Sequence, residues 1–117
     1  MKTSELYIQI AVVNWLKSNF PEILYCASAG GMRTSLSVAK KMKASGYRRG
    51  FPDLGIFHPT NKHNGMFVEL KANKKCYATK EQKEWIEALN QRGYYAVCCK
   101  GFDETIETIT NYLNENV

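Results

Sequence analysis

Two acids and a base, Asp53, Glu69 and Lys71, stand in segments whose other residues are mostly apolar. In Phe67-Val68-Glu69-Leu70-Lys71 the acid and the base are two residues apart, so on a strand they share one face. Upstream, Asp53–Phe57 reads as a strand entered through Gly50-Phe51-Pro52. The turn formers from His58 to Gly65 predict a hairpin joining it to Met66–Lys71. Antiparallel pairing then sets Asp53 across from Glu69. Two carboxylates meeting near one point repel, and a cation between them relieves the repulsion. Hard oxygen donors suit Mg2+ or Mn2+, which take one or two carboxylates, waters and substrate phosphate. Lys71 falls within reach of an attacking water. This is the minimal equipment for hydrolysing a phosphodiester. The same three residues also read as a cross-strand ion pair on a solvated face, and the pair Glu69 and Lys71 alone does not decide between these readings.

Gln82 and Glu5 bear on that choice. On a helix spanning 79–92, Gln82 sits in the middle of the side formed by Trp85, Ile86 and Leu89, and so points toward the sheet. Thr79-Lys80-Glu81-Gln82 is equally a capping box, with Gln82 bonding back to the Thr79 amide, and one side chain could do each job in different states. Glu5 begins a stripe with Gln9, Val12 and Leu16. It reads either as a site acid at the head of a largely apolar face or as a first-turn acid favourable to the helix dipole.

The elements that must position these residues follow from punctuation and periodicity. Residues 4–19 predict a helix ending before Pro21, since the residue before proline resists helical geometry. Its apolar residues Leu6, Ile8, Ile10, Val12, Val13, Trp15 and Leu16 cover most of the circumference, which predicts burial on more than one side. Ile23–Ala27 is a short strand. After Gly30-Gly31, residues 34–45 predict a basic helix with Leu36, Ala39 and Met42 as apolar positions and Gly46 as its stop. Tyr94–Cys99 is an apolar strand, and Asp103 is expected to cap a last helix with Ile106, Ile109 and Leu113 inside. The order α-β-α-β-β-α-β-α predicts an α/β fold, a small mixed sheet flanked by helices.

Length and charge narrow the class. A chain of 117 residues fits one domain, 1–117, and can bury roughly two thirds of its unfolded surface. The hydrophobic share of 44% and charged share of 23% argue against disorder. No apolar run approaches the ~18–20 residues of a membrane span. The start, Met1 to Glu5, lacks the basic-then-apolar order of a secretory signal. Four cysteines without a CxxC read as free packing thiols in a reducing compartment. Adjacent Cys98 and Cys99 point to opposite faces of a strand, although a zinc site built from cysteines with His58 and His63 stays open. The expected address is intracellular and cytoplasmic.

The net charge of +5 is unevenly spread. Between Glu22 and Asp53 no acid occurs, while Arg33, Lys40, Lys41, Lys43, Arg48 and Arg49 do. Lys71, Lys74, Lys75, Lys80 and Lys83 form a second cluster, and residues 101–117 carry acids only. One-sided positive charge of this kind is the footprint of a polyanion binder, with Arg33, Lys40, Lys43, Arg48, Arg49, Lys74 and Lys75 as candidate DNA contacts. A merely solvated basic face is the other reading.

Gly50-Phe51-Pro52-Asp53-Leu54, then Phe67-Val68-Glu69-Leu70-Lys71, then Gln82 on a helix and Gly93-Tyr94 before a strand resemble the PD-(D/E)XK nuclease superfamily. More narrowly the chain resembles its virus-type replication-repair nuclease (VRR-NUC) branch, over essentially its whole length. The resemblance implies a restriction-endonuclease-like core and a divalent-metal-dependent nuclease using Mg2+ or Mn2+, with no small-molecule cofactor. It implies that Asp53, Glu69 and the Leu70 carbonyl bind metal, that Lys71 assists the water, and that Gln82 and Glu5 complete the site, Glu5 as a further metal ligand. Family members often have a glycine-containing turn after the strand; Ala72-Asn73-Lys74-Lys75-Cys76 stands there instead. Small free-standing members of phage type are typically homodimers that cut branched DNA, four-way junctions included. The alternatives are a nuclease of plain duplex or nicked DNA in repair or restriction, and a non-catalytic nucleic-acid-binding module.

Overall fold

The computed structural model describes residues 2–28 and 35–117. The elements are α1 (Thr3–Asn19), β1 (Tyr25–Ala27), α2 (Leu36–Ala44), β2 (Leu54–Ile56), β3 (Met66–Lys71), α3 (Lys80–Gln91), β4 (Tyr95–Lys100) and α4 (Phe102–Leu113). Their order is the one expected. The strands form one mixed sheet in the order β1-β2-β3-β4, antiparallel except for the parallel pair β3 and β4 that α3 connects. A parallel pair needs a crossover, and α3 supplies it.

Strand alternation divides the core into two layers. Met66, Val68 and Leu70 of β3 join Leu54, Ile56, Cys99, Val12, Leu16, Ile109 and Tyr112, so α1 and α4 cover one face. Phe67 joins Leu89 and Ala96 on the other face, with Phe51, Trp85, Ile86 and Tyr94 packed around them, and α3 covers it. Cys99 belongs to the first layer and Cys98 faces α3, as adjacent strand residues must. All four cysteines are free thiols.

Two expectations are corrected, the burial of α1 and the cap of α4. Helix α1 is buried along one stripe only, Glu5, Gln9, Val12 and Leu16, while Ile10 and Tyr7 are exposed. An apolar circumference does not choose its buried side; packing does. Helix α2 buries no residue, and Leu36 lies in solvent rather than against a core. Finally, Asp103 does not cap α4. Gly101 occupies the cap position with φ +91°, and Glu104 reaches back to accept the Lys100 N–H at 2.6 Å. The Glu104 carboxylate thus pins the residue before the cap, while no side chain caps the first turn.

Candidate active site

The register places the acids as the spacing implied. Leu54 pairs with Val68 and Gly55 with Phe67, so the next step along β2 brings Asp53 opposite Glu69 on the α3 face. Asp53 Oδ2 accepts the Leu70 N–H at 2.8 Å, which fixes its carboxylate against β3. Its own carbonyl accepts the Ser28 N–H at 2.8 Å, tying it to the end of β1. Lys71 Nζ lies 3.9 Å from Glu69 Oε2. Asp53, Glu69 and Lys71 are all buried, Glu69 to 2% exposure. The solvated-face reading of the trio fails on that burial.

The segment leading to Asp53 is clamped onto α3. Trp85 Nε1 donates to the Arg49 carbonyl at 3.1 Å, and the Phe51 ring meets Trp85 edge-on at 5.0 Å and Phe67 at 5.6 Å. Gly50 makes this approach possible. Its φ is +93°, and a Cβ there would lie 2.7 Å from the Glu81 carbonyl carbon. Only glycine fits both demands.

From α3, Gln82 Nε2 donates to Glu69 Oε2 at 3.2 Å. Gln82 Oε1 meanwhile accepts the Thr79 N–H at 2.8 Å and Thr79 Oγ1 accepts the Gln82 N–H at 3.2 Å, closing the capping box. The two readings of Gln82 therefore hold at once, not in different states, because an amide has a donor end and an acceptor end.

From the opposite layer, α1 brings Glu5, buried, close enough that its charge acts on Glu69. Yet among the described residues no three His, Cys, Asp or Glu side chains converge into a metal-binding cluster, so Glu5 stands apart from the Asp53–Glu69 pair. One turn on, Gln9 is buried as well, and its Oε1 has no hydrogen-bond partner among the described residues. Sequence reading set Gln9 on the stripe headed by Glu5 but gave it no role. Its signal was available, since two polar residues at i and i+4 on a helix stripe that continues into Val12 and Leu16 must be buried with them.

Burial, above all, pushes the Glu69 carboxyl up to about 9. The hydrogen-bonded, like-charged Asp53 carboxyl adds to this and so does Glu5, against a smaller opposing pull from Lys71. The shift favours the protonated form of Glu69 beside Asp53. A small divalent cation removes the repulsion that makes this proton necessary. The chemistry of the donors fits such an ion: two carboxyl groups in contact, both buried.

The turn after β3 is built without glycine. Asn73 Oδ1 accepts the Lys75 N–H at 2.9 Å and the Asn73 carbonyl accepts the Cys76 N–H at 3.1 Å. No residue from Ala72 to Cys76 has a positive φ. An asparagine-closed turn replaces the glycine turn and leaves Lys74 and Lys75 exposed.

A family model described as the VRR-NUC domain matches residues 1–103. The chain belongs to the VRR-NUC family. This is a nuclease domain of the PD-(D/E)XK type, so DNA is its substrate class. Two solved structures share the fold. One, described as a VRR_NUC domain protein, is 33% identical, with 97% of this chain and 91% of that one covered and a TM-score of 0.78. The other, a VRR_NUC domain, is 19% identical at a TM-score of 0.64, with coverage of 95% and 99%, and speaks for the fold alone. No curated protein matches the chain.

In this VRR-NUC chain the candidate DNA contacts fall in two groups. Lys40 and Lys43 lie on α2, and Arg48 and Arg49 follow it; the Arg48 guanidinium stands 4.8 Å above the Trp85 ring. Lys43, Arg48 and Arg49 line a concavity of about 420 Å3 together with Glu81, Glu84 and Trp85. Lys74 and Lys75 sit on the turn after β3. Arg33 lies outside the described residues. No described helix is long and apolar enough to cross a membrane.

Proposed function

We propose that this VRR-NUC domain is a divalent-metal-dependent DNA endonuclease acting on branched or flapped DNA, four-way junctions included, as a homodimer. The observation that carries the reading is the buried contact of Asp53 with Glu69, held from outside by Leu70 N–H, Gln82 and Lys71. Asp53, Glu69 and the Leu70 carbonyl would hold Mg2+ or Mn2+, and Glu5 adds its negative charge from α1. Bound there, the ion supplies Lewis-acid polarisation of the scissile phosphate and a lowered cost of deprotonating water. Lys71 keeps a fixed positive charge beside the reacting phosphate and offsets the negative charge that builds as water attacks. Gln82, by donating to Oε2, holds Glu69 with its remaining oxygen directed at the ion. Lys40, Lys43, Arg48, Arg49, Lys74 and Lys75 hold the backbone through phosphates.

A physical argument favours pairing: one small site cuts one strand, and symmetric incision of two strands needs two sites related by a twofold. Exposed Tyr7 and Ile10, three residues apart on α1, support a contact surface there.

The test is single-turnover cleavage of labelled duplex, flap and four-way DNA with each metal and with EDTA. Asp53→Asn and Glu69→Gln should lose cleavage by orders of magnitude while gel-shift affinity survives, since neither adds negative charge where phosphate must approach. Wild-type cleavage in either variant, or cleavage that persists in EDTA, would sink the reading.

A further inference from the structure

A second concavity lies on the α3 face of the sheet, beside the acids and base. Its volume is about 380 Å3; Tyr77, Ala78, Ile86 and Cys98 line it, and Lys83, Glu87 and Lys100 give it charge. Its nearness to the site is fixed by strand register. Cys98 pairs with Glu69 and Lys100 with Lys71 across the parallel ladder, one strand spacing, roughly 5 Å, away.

Tyr77 is the member that packing does not explain. The residue is 69% exposed and lies outside both core layers, and Lys100 Nζ stands over one face of its ring, 3.8 Å from the centroid. An aromatic platform over an apolar recess, rimmed by lysines, is the composition of a site for an unpaired base: the ring takes the base's flat face and the lysines take its phosphates. A purely apolar ligand would gain nothing from Lys83 and Lys100. Continuous duplex cannot use the recess, because its bases are stacked inside the helix and offering one requires unstacking.

We infer that this recess receives an unpaired nucleobase next to the scissile phosphate, with Tyr77 as the stacking residue, and so favours DNA with unpaired nucleotides at the cut over continuous duplex. The inference rests on the cleavage-site reading of Asp53, Glu69 and Lys71, and names the DNA feature that the site selects.

The test uses the full chain in EDTA, so that nothing is cut, with a flap carrying 2-aminopurine in the first unpaired nucleotide and a matched continuous duplex. Wild type and Tyr77→Phe should quench the fluorescence on binding; Tyr77→Ala should not. Tyr77→Ala should also lose about tenfold in flap affinity and nothing on duplex. Because Tyr77 is exposed, all variants should melt together. Unchanged quenching and flap affinity in Tyr77→Ala, an equal loss on duplex, or an equal loss in Tyr77→Phe would overturn the inference. Failure of the cleavage-site reading shows elsewhere, as wild-type cleavage by Asp53→Asn with Mg2+, and leaves the metal-free fluorescence result able to support or overturn the recess.

Discussion

Gln82 spans the start of α3 and the acid of β3: its Nε2 lies 3.2 Å from Glu69 Oε2 while its Oε1 accepts the Thr79 N–H at 2.8 Å. Helix initiation and carboxylate orientation therefore share one amide. Gln82→Ala should lose both, about 1 kcal/mol of stability and a large part of the cleavage rate. Gln82→Glu separates them. It retains a capping-box acceptor for Thr79 but sets an acceptor against Glu69, so cleavage should fall more than thermal stability. Melting curves and single-turnover rates on the two variants measure the difference; equal rates in Gln82→Glu and wild type would show that the Glu69 contact is idle.

The raised Glu69 carboxyl makes a pH prediction with a definite sign. Its folded value, about 9, lies above the ordinary 4.5, so the folded state binds the extra proton. The contribution of the neutral form is fully present below pH 4.5 and is lost as pH rises through about 9. Metal-free protein should thus melt at progressively lower temperature across that window, and Glu69→Gln should flatten the slope. Added Mg2+ or Mn2+ should stabilise wild type more at pH 8.5 than at pH 6, roughly following the tenfold-per-unit proton competition of a raised carboxyl. Calorimetry in two buffers of different ionisation heat should detect proton release on metal binding.

Gly50 holds the approach of Asp53 to α3, because a side chain there meets the Glu81 backbone at 2.7 Å with φ at +93°. Gly50→Ala should cost at least about 1–2 kcal/mol from the backbone conformation alone. It should also reduce cleavage beyond what lost stability explains, since relief of the clash moves the segment that carries Asp53. Chemical denaturation and cleavage at a temperature where both proteins are folded test this. A Gly50→Ala variant with wild-type rate would mean that Asp53 is held from β3 alone.

Arg48 and Arg49 sit where charge and an aromatic face meet, at the rim of α3. If they neutralise phosphates, each contributes roughly 0.9 to the log–log dependence of duplex affinity on salt. Replacing both with Gln should lower that slope by nearly two while leaving the Trp85–Arg49 backbone bond in place. An unchanged slope would put the DNA elsewhere.

Some of this was legible residue by residue. Strand alternation puts Glu69 and Lys71 on one face whatever the fold, and a hairpin of the expected length brings Asp53 opposite. The capping box fixes where α3 begins, and Gly93 where it ends. These are properties of neighbours in the chain, set by backbone geometry and steric limits.

Other features needed the assembled molecule. Local periodicity states that α1 is apolar nearly all round, but not which stripe is buried. Packing chose the stripe with Glu5 and Gln9 and left Tyr7 and Ile10 outside. The repulsion of Glu69 by Glu5, the double use of Gln82, and the seat of Tyr77 beside Lys100 join residues that no spacing connects. The one-residue precision of the sequence pattern decides which way a side chain points. Which other side chains it then meets depends on how the layers close over the sheet, because burial is a property of the whole core.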